Sequence, residues 1–198
     1  MGRTARRARR RSDGGAVLVE FAIVVPFLCL MVFGTVEMGL AWTAQSRVGS
    51  AVATASRVGA SVGADANADR TILVALRASL SSEALANLDR VVIYKSTNAS
   101  GTVPSGCLPV VGSTSQAGVS NSCNTYRGDT VRSVTSSTSL GSADDYWLGT
   151  TRVDSLAGTP DSIGIYLRTT YTAKTGAFFD SLTLTRQSVF RLQPDLDG

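Results

Sequence analysis

The stretch GGAVLVEFAIVVPFLCLMVFGTVEMGL, residues 14–40, holds an apolar run from Ala16 to Leu40 in which only Glu20 and Glu37 carry charge. At about 1.5 Å per residue, a helix over those positions is longer than the roughly 30 Å hydrocarbon core of a bilayer. Just before it stand Arg3, Arg6, Arg7, Arg9, Arg10 and Arg11, a short basic flank of the kind retained in the cytoplasm. The sequence therefore predicts a basic cytoplasmic leader over residues 1–15 and a transmembrane segment over residues 16–40. The rest of the chain then faces outward.

The two carboxylates test that reading, because an acid at the bilayer centre costs on the order of 3 kcal/mol. Glu20 and Glu37 are separated by about 26 Å of helix, so in a lone helix each would lie near one interface, with Phe21 to Val36 in lipid. Pro26 removes one backbone donor and is expected to act as a kink, which membrane helices tolerate. A cleaved secretory signal is the competing interpretation of a basic start followed by apolar residues. Its apolar region usually spans only about 7–15 residues. Helical composition also continues from Ala41 to about Val58, so a cut near Ala41 would divide one long helix.

Charge follows the same division. The formal net charge is +4, yet residues 1–15 hold six of the nineteen Lys/Arg and one of the fifteen Asp/Glu. The remainder is nearly balanced, so the basic character belongs to the leader, where it suits anionic lipid headgroups, and no nucleic-acid partner is expected.

Beyond the apolar run, residues 41–62 are rich in Ala, Val, Gly and Ser and are expected to continue the helix outward, their small side chains allowing close helix contact. Residues 63–198 are expected to form an extracytoplasmic α+β domain with Ser/Gly-rich loops. Ile72, Leu73, Leu76 and Leu80 mark one face of a second helix, with Asn67 or Asp69 as its cap. Arg90 to Lys95 predicts a strand, Thr97 to Thr125 a loop, and Val131 to Val134 a short strand. Ile163, Ile165 and Leu167 alternate through Tyr171 as the clearest strand, followed by a turn at Lys174-Thr175-Gly176 and a returning strand from Leu182. Together these predict a long N-terminal transmembrane helix continuing outward, followed by a small helix-plus-antiparallel-sheet exterior domain. Its sheet should pack on the helix around Ile72 to Leu80.

Cys107 and Cys123 flank the polar loop, and in an exported domain they are expected to form a disulfide. Cys29 lies in the apolar run, apart from them. Tyr146 and Trp147 are expected to anchor a small core. Asp144 and Asp145 would bind calcium only if further oxygen ligands converged there. The chain has no histidine, hence no histidine-based triad or H-E-x-x-H site, and no phosphate-cradling G-x-x-x-x-G-K-[ST] run. No catalytic residue, cofactor site or metal site is expected, and the chain is not expected to be an enzyme.

The tract Gly14-Gly15-Ala16-Val17-Leu18-Val19-Glu20-Phe21-Ala22-Ile23-Val24-Val25-Pro26, with Phe33-Gly34-x-x-Glu37 after it, resembles the TadE/TadG-like family of tight-adherence pilus assembly proteins. Arg191-Leu192-Gln193-Pro194 is similar to the family's chain ending. The resemblance implies a TadE-like pseudopilin processed by a prepilin peptidase, with Gly15 before the cut, Ala16 as mature residue one, Glu20 as the assembly glutamate and Phe21 as the aromatic beside it. Some related TadG-like proteins remain uncleaved anchors. The implied role is a minor pilin or pseudopilin working with other minor pilins and pilus assembly membrane proteins. The alternative is a membrane-anchored extracytoplasmic binding module unrelated to filament assembly.

Overall fold

The computed structural model describes residues 14–97, 101–108, 117–141, 144–154, 159–176 and 178–193. The six N-terminal arginines, Pro194 and part of the predicted Thr97–Thr125 loop lie outside the described residues.

Helix α1 (Gly14–Val62) is 49 residues long and continues through Pro26. Its two halves face different surroundings. Val17, Leu18, Phe21, Ile23, Phe27 and Leu28 are all exposed, whereas Glu37, Ala41, Val48, Ala51, Val52 and Ala55 are buried. The buried set recurs at steps of three and four, the spacing of one helical face. Apart from Glu37 and the two valines it is alanine, which lets neighbouring elements approach the backbone. Gly59 shows the limit: a Cβ there would meet Ile72 Cδ1 at 3.2 Å and Ile163 Cδ1 at 3.4 Å. Gly63, at φ +54°, ends the helix in the left-handed conformation that glycine adopts without a steric penalty.

Helix α2 (Ala68–Ser79) buries Ile72, Leu73 and Leu76 as their periodicity predicts. Asn67 stands at its N-cap position but makes no side-chain cap bond, and Asp69 points into the core instead of capping. Helix α3 (Ser82–Ala86) starts with the Ser81 hydroxyl accepting from Ala84 N.

Strands β1 (Leu88–Ser96), β2 (Ala117–Val119), β3 (Cys123–Arg127), β4 (Ser162–Thr172) and β5 (Ser181–Arg191) form an antiparallel sheet in the order β2-β3-β1-β4-β5. β1 alternates poorly in sequence because both of its faces are covered. Val91 and Ile93 join Ile163, Ile165, Leu167, Leu184 and the helices in the main core. Val92 and Tyr94 point the other way, into a smaller cluster with Val103, Cys107 and Cys123. A register shift between Leu88 and Arg90 leaves one extra residue in β1, which returns Leu88 to the helix side with Val91.

Two expected elements differ. The loop predicted through Thr125 contains β2 and most of β3, whose polar sequence is held extended by pairing with β1 and by burial of Cys123, Asn124, Thr125 and Tyr126. Tertiary pairing outweighs strand preference here. Val131 to Val134, predicted as a strand, lies in and just after helix α4 (Gly128–Ser133). Val131 and Val134 are both buried; their spacing of three shares a helical face but would point to opposite sides of a strand. The sheet also packs on the second half of α1 as well as on α2, so residues 41–62 are part of the main core.

Candidate functional site

Two features of α1 are candidates for function: its free N-terminal half, and the place where the β4–β5 hairpin returns to it. In the free half, Ala16, Glu20 and Phe21 are exposed, and a Cβ at Gly15 would meet nothing within 4 Å. No hydrogen bond or ion pair from another described residue reaches Glu20. The fold leaves these positions together on an accessible apolar rod. Cys29 is likewise free and exposed.

Glu37 is different: it is not the acid of a lone helix, because the fold supplies partners for its carboxylate. It is fully buried by the connection after β4. Tyr171 Oη donates to Oε1 at 2.8 Å, Lys174 N to Oε1 and Oε2 at 3.0 and 3.1 Å, Thr175 N to Oε2 at 2.8 Å, and Thr175 Oγ1 to Oε2 at 2.9 Å. Two main-chain amides that a turn would otherwise leave to water thus converge with two hydroxyls on one carboxylate. Burial, and then the adjacent Glu37 carboxylate, push the Tyr171 phenol up to about 12, so Tyr171 stays a donor. Lys174 also bridges to Glu83 at 2.7 Å, linking the hairpin to α3.

One turn below Glu37, Phe178 lies against Gly34, where a Cβ would approach its ring to 2.7 Å. The absent side chain is what lets the ring meet the helix backbone. Gly39 has no such neighbour within 4 Å. Gly34 is therefore met by an aromatic ring of the same chain.

Cys107 and Cys123 form the expected disulfide, with Cα atoms 6.1 Å apart. It ties the turn at Ser105–Cys107 to β3. Trp147 is buried as expected, but Tyr146 is 38 % exposed and covers Gly118 of β2. Trp147 belongs to a polar cluster that periodicity did not reveal. Asp69 accepts from Asn124 Nδ2 at 2.7 Å and Tyr126 Oη at 2.6 Å and pairs with buried Arg152. Arg152 lies over the Trp147 ring, 4.3 Å from its centroid. Burial and then Asp69 raise the Tyr126 phenol well above its ordinary range, keeping it a donor. The one sequence signal for this cluster was Asp69 standing three residues before Ile72, on the apolar face of α2. Among the described residues no group of three or more Cys, Asp and Glu converges to hold a metal ion.

Residues 15–57 match the family described as TadE-like protein. No curated protein and no solved structure matches the chain.

Proposed function

Residues 15–57 of this chain are a TadE-like segment, and from that premise we propose that the protein is a minor pilin or pseudopilin in the assembly of tight-adherence type IV pili. The observation that carries the proposal is the coincidence of the family match with a helix whose first half is apolar and exposed and whose second half is fixed in a folded domain. The described helix is long and apolar enough to cross a membrane. In the proposed arrangement it crosses once, with the basic leader in the cytoplasm and the α+β domain outside. The protein has an assembly role without catalysis, and its partners are a prepilin peptidase, other minor pilins and pilus assembly membrane proteins.

Cleavage between Gly15 and Ala16 removes the arginine leader and creates a cationic amine at Ala16. Glu20 of an incoming subunit pairs with that amine on a neighbour. In a low-dielectric membrane the pairing offsets part of the carboxylate's desolvation and favours one axial register. The exposure of Ala16 and Glu20, with no competing intrachain partner described for Glu20, supports this reading. N-terminal mass spectrometry of protein recovered with pili tests it. A chain starting at Ala16 is expected; an intact leader on assembled, functional protein rejects processing. Loss of pili on deletion of the protein separates assembly from the alternative, a membrane-anchored binding module.

A further inference from the structure

We infer that the β4–β5 hairpin is a second membrane contact, in which Phe178 and the helix face beside it receive an outer-leaflet acyl chain. Met31, Gly34, Thr35, Met38, Phe178 and Phe179 line an open groove on α1. Thr35 contributes the one side-chain hydroxyl, and it is spent on Met31 O at 2.8 Å, so the groove wall is apolar. Phe178 is 58 % exposed, Met31 58 % and Met38 64 %. Such a surface on an exported domain would be an aggregation liability unless something apolar covers it.

Its position on the helix selects the occupant. The inference rests on α1 spanning the membrane, and Ala16 to Gly34 then rises about 27 Å, close to the roughly 30 Å of a hydrocarbon core. That places Phe178 near the outer acyl boundary. The groove is continuous with the exposed apolar rod below it and leads upward, one helical turn past Met38, to Trp42, which is 74 % exposed. An indole at that height is typical of the outer headgroup level. The polar part of the same turn is turned away from lipid: the Lys174 and Thr175 amides are taken up by Glu37, and Lys174 Nζ is paired with Glu83. The hairpin therefore presents a ring to lipid while two of its turn amides, those of Lys174 and Thr175, remain satisfied by Glu37, in keeping with the low tolerance of a bilayer for unpaired backbone donors. With the helix and the hairpin both seated, the exterior domain is held at a fixed depth.

The test uses the full chain in phosphatidylcholine and phosphatidylglycerol vesicles containing lipids brominated either near the carbonyl or near the chain end. Trp42→Phe leaves Trp147, which is 2 % exposed, as a constant emitter. On that background Phe178→Trp and, separately, Met38→Trp place an indole at the groove, and Leu28→Trp places one at mid-span. Groove indoles quenched more strongly by the shallow bromines, with the mid-span indole quenched more strongly by the deep ones, are the expected result. Groove indoles unquenched while the mid-span indole is quenched overturn the lipid contact. In that case, emission that shifts to the red on diluting protein into lipid identifies a second copy as the occupant. Failure to quench the mid-span indole overturns the membrane span itself and the inference with it.

Discussion

Glu37 shows how one side chain can join two parts of a protein that sequence separates by more than 130 positions. Glu37→Ala would leave the Lys174 and Thr175 amides without their acceptor and open them to water. The expected outcome is faster amide hydrogen exchange at Lys174 and Thr175, with the central residues of β1 and β4 still protected. Asp69 and Arg152 are a comparable case inside the domain. Removing one member of a buried pair strands the other's charge, and Arg152→Met is expected to lower stability by about 3–5 kcal/mol. Urea denaturation in detergent followed by circular dichroism measures it. Tyr126→Phe keeps the ring and removes one charge-assisted donor, for a smaller loss of about 1.5–3 kcal/mol.

Among the elements, β1 and β4 meet where a tyrosine needs a glycine. Tyr94 pairs with Gly164, and a Cβ at Gly164 would fall 2.2 Å from Tyr94 Cζ. The ring is also held by its hydroxyl, which donates to Gly101 O, so it has no free direction in which to move. Gly164→Ala is expected to cost about 1–3 kcal/mol through overpacking, read as a lowered thermal midpoint. The disulfide acts on the same side of the sheet by closing the chain between the Ser105–Cys107 turn and β3. Replacing both cysteines by serine is expected to cost about 3 kcal/mol, and a reductant should lower the midpoint of the parent chain but not of the variant.

At the scale of the whole molecule, α1 is two structures in one helix. Its first half has no partner among the described residues except at the hairpin, and its second half is the central support of the folded core. If the membrane arrangement proposed above holds, protease added to intact cells stripped of their wall digests the exterior domain while the membrane helix survives. Full protection of the domain would reverse the topology. In the same setting Glu20→Ala should insert normally, because no contact among the described residues depends on it, and should fail to co-purify with pili. Normal incorporation would show that the acid is dispensable.

Sequence by itself determined the features that rest on local order. The apolar run and arginine flank marked the long helix, the alternation from Ile163 to Tyr171 marked β4, and the step of three and four from Ile72 to Leu76 marked the buried face of α2. These patterns are legible because a helix or strand repeats its environment every few residues. Only the tertiary structure decided the environment of Glu37, the company of Asp69 and the extended state of Cys123 to Arg127. A carboxylate in an apolar run has the same local signature whether lipid or a hairpin faces it, and the donors that decide the matter are far along the chain. Cys123 to Arg127 has loop composition and is a strand because β1 offers it hydrogen bonds and the domain buries it, conditions that do not exist until the distant segments have met.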